Sequence, residues 1–299
     1  MLKNKTKKIL LLLVIIGSLF ALSGCTIPTE VDEETGKKVT KIITTETTFK
    51  ETRESEGWYQ TFLVYPLAQS INKLSPVVSV AGAIALVTFL VNFVVFIFTY
   101  KATLAQQKMA AMQPEINRIT EKYKGKTDQA SRMAQAQEQQ KLYKKYNINP
   151  FSSLLIQFIQ LPIIISIYYA VQRSQAVKHG FFMGMELSVS PLNGIMNKEW
   201  IYLVLLIIVM GSQALSMKLP TYLAEKQARK EAEEQGRRYR PAPNPTAKMM
   251  NYMLVFITVI TITLPSGMGV YWVCSSLMAI AKSLITMHLS KKEKMKGSV

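Results

Sequence analysis

The chain has 299 residues, 49% of them hydrophobic, and a formal net charge of +17. Such a charge can signal nucleic-acid binding, but here Lys and Arg crowd the connectors on one side of long apolar runs, which is the positive-inside pattern of a membrane protein. Two cysteines, Cys25 and Cys274, cannot build a disulfide framework, and His179 and His288 lack any Cys or Asp at metal-ligand spacing.

Residues 1–24 read as a signal peptide. Lys3, Lys5, Lys7 and Lys8 precede an apolar core at 9–21. The ending Leu22-Ser23-Gly24-Cys25 resembles a bacterial lipobox. That resemblance implies cleavage before Cys25, acylation of Cys25 (a palmitate-type lipoprotein anchor) and a mature N-terminus on the outer face of the plasma membrane. Residues 25–75 follow as an extracytoplasmic tether and an interfacial helix. The stretch 26–56 is Thr- and Glu-rich and is expected to be flexible. From Trp58 the pattern turns amphipathic, with Trp58, Tyr59, Phe62, Tyr65 and Leu67 suited to the membrane interface.

The first predicted span, 76–100, carries no charged side chain and is long enough to cross a bilayer. Ala81, Ala85, Thr88, Asn92 and Thr99 fall on one helical face. Lipid would leave their polar atoms unpaired, so that face must meet other helices or water inside the protein. Residues 101–149 read as a cytoplasmic helical hairpin. Its first helix has an apolar seam of Ala105, Met109, Met112, Ile116, Ile119 and Tyr123. Lys124-Gly125-Lys126-Thr127 marks the break, and Met133, Ala134, Leu142, Tyr143 and Tyr146 are seam candidates in the second helix. Gly125-Lys126-Thr127 imitates the end of a phosphate loop, but Thr120 stands where the first glycine is required, which removes ATP binding.

The second span is 150–171, with Ser153, Gln157, Gln160 and Tyr168 on one face and Pro162 inside. An outer loop, 172–199, leads to a third span at 200–219, with Gln213 and Ser216 near its inner end. A charged cytoplasmic connector, 220–248, precedes a short fourth span at 249–263. Leu264-Pro265-Ser266-Gly267 turns the chain into a fifth span, 268–288, and 289–299 is a basic cytoplasmic tail. With the second connector counted from 218, the three segments placed inside carry 22 Lys and Arg against nine in the two placed outside. That agrees with the orientation given by the lipobox.

Four stretches on this plan resemble the YidC family of membrane protein insertases, in its five-helix lipoprotein form. They are Phe62-Leu63-Val64-Tyr65-Pro66-Leu67, Met112-Gln113-Pro114-Glu115-Ile116, Asn149-Pro150 with Ile156-Gln157-Phe158-Ile159-Gln160-Leu161-Pro162, and Leu264-Pro265-Ser266-Gly267 leading into Tyr271-Trp272. The likeness covers about 59–292. It implies an all-α polytopic membrane protein, five transmembrane helices around a hydrophilic groove plus a cytoplasmic hairpin. It further implies insertion of nascent membrane proteins into the lipid bilayer without nucleotide hydrolysis, and no enzyme activity, cofactor or small-molecule substrate. Ribosome and general secretory channel are the additional partners it raises, the basic tail being suited to contact with RNA.

The physical logic rests on named residues. Each charged residue of a translocated tail costs roughly 2.5–3.5 kcal/mol at mid-bilayer on insertion scales. A wet notch shortens that apolar crossing. Thr88, Asn92, Gln157, Gln160, Gln213 and Ser275 supply hydrogen-bonding groups for such a notch, although the same residue types also glue membrane helices together. The resemblance casts Tyr271 and Trp272 as substrate-contacting aromatics. It also exposes a departure: Asn92 stands where family members carry a groove arginine. Lys282, at a comparable depth of roughly 10 Å and on one helical face with Tyr271 and Ser275, is a candidate source of the missing charge. A lysine snorkelling to headgroups is the competing reading.

Other classes fit less well. A coupled transporter needs intramembrane carboxylates, whereas Asp32 and Asp128 lie outside the spans and no Glu lies within one. Ser275 and Lys282 are two turns apart, too far for a nucleophile and its base. A structural lipoprotein would not need two polar helix faces.

Overall fold

The computed structural model describes residues 26–146, 149, 152–234, 236 and 245–296. In chain order the elements are β1 (Thr29–Val31), β2 (Lys38–Thr40), α1 (Phe49–Ser55), a π-helical turn (Gln60–Val64), α2 (Tyr65–Val78) and α3 (Val80–Ala111). Then come α4 (Gln113–Lys122), α5 (Gln129–Lys145), α6 (Ser152–Arg173), α7 (Gln175–Lys178), β3 (Phe181–Phe182) and β4 (Met185–Glu186). The chain ends with α8 (Pro191–Met196), α9 (Ile201–Glu234), α10 (Pro245–Thr263) and α11 (Ser266–Lys296). The protein is an all-α polytopic membrane protein. Among the described residues, Val80–Gln106, Ile201–Leu223 and Ser266–His288 are long and apolar enough to cross a bilayer, and Met250–Thr263 is a shorter apolar helix.

Local chemistry sets several boundaries. Pro76 falls in the last turn of α2, where its missing N–H weakens the ladder, and Ser79 at φ 69° breaks the helix before α3 begins at Val80. The segment expected to start at 76 as one span is therefore divided: 76–78 finish α2. Capping is regular elsewhere. Thr48, Asp128, Ser174 and Ser190 each accept a backbone N–H at the start of α1, α5, α7 and α8.

The chain divides into two compact units. The first comprises Met1–Val87 and Pro162–Ser188. Within it, 26–56 departs from the flexible tether expected of its composition. β1 and β2 pair as an antiparallel hairpin closed through Gly36 at φ 63°, Ile43 is fully buried and bridges Ser174, and Thr52 is buried in α1. The segment is held less by apolar area than by hydrogen bonds to its backbone. Asn72 donates to the Ile43 carbonyl at 2.6 Å, Gln69 to those of Thr45 and Thr47, and Tyr65 to that of Thr47. Composition records apolar content but not such partners, which come from distant helices.

The second unit comprises Thr88–Leu161 and Val189–Val299. Here α9 packs extensively on α11. Gly269 permits the close approach, because a Cβ there would meet Leu205 Cδ2 at 2.9 Å. The start of α11 is tied down by Ser266, whose N–H and hydroxyl both donate to the Val189 carbonyl. Hairpin helices α4 and α5 close on Met109, Met112, Ile116, Leu142 and Tyr143, five of the expected seam residues. Met133, also expected there, is exposed. Phe89, Phe93, Ile97 and Phe98 on α3 stay exposed, as an apolar face does when lipid is its solvent.

Candidate functional site

The site grows from the one polar face of α3. Thr88, Asn92 and Thr99 are buried on it, while Phe93 beside Asn92 is about half exposed. Spacing by four explains the alignment. Asn92 Nδ2 donates to the Thr88 carbonyl at 3.0 Å, and Thr99 Oγ1 donates to the Val95 carbonyl at 2.7 Å. These local bonds satisfy one end of each side chain. The Asn92 amide is left with an oxygen and a second N–H for partners on another helix.

That helix is α11. Lys282 Nζ donates to Asn92 Oδ1 at 3.2 Å, and Asn92 Nδ2 lies 3.5 Å from Ser275 Oγ. Lys282 Nζ also stands 5.9 Å from the centroid of the Phe96 ring, one turn along α3 from Asn92. Tyr271, one turn before Ser275, is 1% exposed, and its hydroxyl has the Ser275 and Gln160 side chains as its polar neighbours. Polar side chains thus line up from Gln160 past Tyr271 to Ser275, Asn92 and Lys282, the last three joined by hydrogen bonds. On the neighbouring face of α11, Ser276 Oγ donates to Gln213 Oε1 at 3.1 Å, and Ser216 Oγ donates to the Gln213 carbonyl at 2.9 Å. Trp272 is mostly buried.

Two features give this chain its electrostatic character. Lys282 is half buried, and its described partners are an amide oxygen and a ring, with no carboxylate among the described residues paired to it. Among the described residues its charge therefore has no opposite charge beside it. Thr88 Oγ1 is buried and has no hydrogen-bond partner among the described residues, a position that one water molecule would satisfy. Among the described residues no group of His, Cys, Asp or Glu could hold a metal ion.

Of the residues singled out from the sequence, Thr88, Asn92, Gln160, Tyr271, Ser275 and Lys282 come together, and Gln213 joins Ser276 beside them. The side chain of Gln157 and all of Cys25 lie outside the described residues. Reading the sequence alone missed Phe96 and Ser276. The first was signalled only by its place four residues after Asn92, the second by adjacency to Ser275.

Comparison with known proteins extends this picture. A family model described as "60Kd inner membrane protein" matches residues 71–294. The membrane protein insertase YidC of Mycoplasmopsis pulmonis is 28% identical over 248 residues, 81% of this chain and 40% of that protein. That of Mycoplasma pneumoniae is 32% identical over 206 residues, 67% of this chain and 53% of that protein. Membrane protein insertase YidC 1 of Listeria monocytogenes is 26% identical over 286 residues, 95% of this chain and 84% of that protein. The chain thus spans about half or less of the two mycoplasma relatives, and most of the third.

Proposed function

Because the chain belongs to the 60Kd inner membrane protein family, we propose that it is a membrane protein insertase. It moves apolar segments of nascent membrane proteins from the cytoplasm into the plasma membrane, and their short polar tails across it, without nucleotide hydrolysis. Burial of the substrate's own apolar span in lipid drives the step. The polar residues from Gln160 to Lys282, with Gln213 beside them, line a hydrated notch that shortens the hydrocarbon crossed by the tail. Tyr271 and Trp272 border it as aromatic contacts for the arriving segment. Lys282 supplies the positive potential that draws acidic tails in, the task for which Asn92 lacks a charge. The observation that carries this reading is the Lys282–Asn92 bond at 3.2 Å, a lysine with no carboxylate partner among the described residues held on an apolar span.

The proposed topology has five spans, at 76–100, 150–171, 200–219, 249–263 and 268–288. Cys25 is lipidated outside, the hairpin 101–149 and connector 220–248 are cytoplasmic, and the basic tail is inside. Ribosome and general secretory channel are partners compatible with that orientation. The test places a photo-crosslinking residue at Asn92 or at Phe93 and challenges membranes with stalled nascent membrane proteins. Crosslinks from Asn92 and not from Phe93 are expected. Equal yields at both sites, or none at Asn92, overturn the notch.

A further inference from the structure

The densest buried polar cluster of the first unit has no part in the notch. Arg173, the last residue of α6, is 1% exposed, and Glu56, just after α1, has a side chain only 3% exposed. Arg173 Nη1 and Nη2 donate to Glu56 Oε2 and Oε1 at 2.7 and 2.6 Å, a fork-on-fork pair. Its Nη1 also donates to Gln60 Oε1 at 2.9 Å, and its Nε to the Lys41 carbonyl at 2.9 Å. The backbone repeats the connection: the Ile43 N–H donates to the Arg173 carbonyl at 2.6 Å, and the Gln175 N–H to the Ile43 carbonyl at 3.2 Å.

Around this pair most buried polar side chains have protein partners. Asn72, 2% exposed, donates to the Ile43 carbonyl and accepts from the Ser174 hydroxyl and the Ala176 N–H. Thr61 donates to the carbonyls of Thr52 and Gly57. Gln60 sits in the π-helical turn and reaches two ways, its Oε1 to Arg173 and its Nε2 to the Thr26 carbonyl at 2.9 Å. Such turns inside α-helices often serve a site rather than the helix. A spacer serving only to carry an anchor would need none of this.

We infer that residues 41–60 form a strap that seals the outer end of the first unit against ions, latched by the Arg173–Glu56 pair. Notch residues can be hydrated from one side only if the opposite end of their helices stays dry. The strap fills its end of the first unit with hydrogen-bonded side chains gathered on the Arg173–Glu56 pair. The assignment of this end to the outside rests on the topology proposed above. Breaking one partner of a buried pair strands the other charge, whereas replacing both with apolar residues does not.

The test uses the full-length chain in two settings. In proteoliposomes, proton flux under a potassium diffusion potential reads the seal whatever the orientation of the protein. In spheroplasts, labelling of Thr52→Cys by an impermeant maleimide reads strap release and its side. Glu56→Gln is expected to raise the leak and the labelling by at least about tenfold. Glu56→Leu with Arg173→Met is expected to return both toward the parent and serves as the control for folding. Strap release without leak, or a double variant as leaky as the single, overturns the seal. Labelling that appears only after lysis, with the leak as expected, overturns the orientation and leaves the seal standing.

Discussion

Replacing Lys282 with Gln keeps a long, hydrogen-bonding side chain near Asn92 and removes only the charge. The size of the effect follows from Coulomb's law. A substrate carboxylate about 6 Å from Nζ gains roughly 3 kcal/mol at an effective dielectric near 20 and about 0.7 kcal/mol at that of bulk water. Lys282 is half buried and pairs with no carboxylate among the described residues, so a middle value of about 1.5 kcal/mol applies. That corresponds to roughly a tenfold change in rate. The assay is insertion into proteoliposomes of a single-span substrate with an acidic translocated tail, scored by its protease-protected fragment. A matched substrate with a neutral tail runs in parallel.

Lys282→Gln is expected to slow the acidic substrate about tenfold and the neutral one by less than about twofold. Lys282→Arg should preserve the preference. Equal slowing of both substrates would assign Lys282 to packing of α3 on α11. No slowing of either would refute the electrostatic reasoning outright.

Three further outcomes follow from separate parts of the molecule. Gly194→Ala would drive a methyl into the ring of Tyr202, which is 1% exposed, so thermal unfolding in detergent should show a loss of about 1–3 kcal/mol. Thr88→Val removes a buried hydroxyl that has no partner among the described residues. If Thr88 Oγ1 holds a notch water, the variant inserts substrate more slowly at unchanged or higher stability, and an unchanged rate marks the hydroxyl as incidental. At the hairpin tip, hydrogen bonds from Lys122 and then Tyr123 hold the Glu138 carboxyl below its ordinary range. A carboxyl depressed in the folded state stabilises at neutral pH, and that contribution fades as pH falls through its folded value, below about 4.5. Hydrogen exchange across 115–145, corrected for intrinsic rate, should therefore accelerate below that pH in the parent, and Glu138→Gln should lose the dependence.

Sequence and structure agree where the information is periodic. A polar face on one helix is written at intervals of three and four. Thr88 with Asn92 and Tyr271 with Ser275 could therefore be paired before any coordinates existed, as could the hairpin seam of Met109, Met112 and Ile116. What periodicity cannot give is a partner in another helix. Lys282 reaches Asn92 across 190 positions, a contact that neither of its two sequence readings, groove charge or snorkelling lysine, contains. The strap is the extreme case. Glu56 and Arg173 are 117 positions apart, and each alone looks like an ordinary solvated charge, Glu56 in a Thr- and Glu-rich run and Arg173 at the end of a span. Low apolar content made 26–56 read as a tether, since such a stretch cannot bury enough hydrocarbon to order itself. It orders because α6 and α2 present polar groups that bond its backbone. A buried ion pair needs both members before either has a meaning, so a polar segment beside a membrane span has to be judged by the charge that the span leaves unpaired.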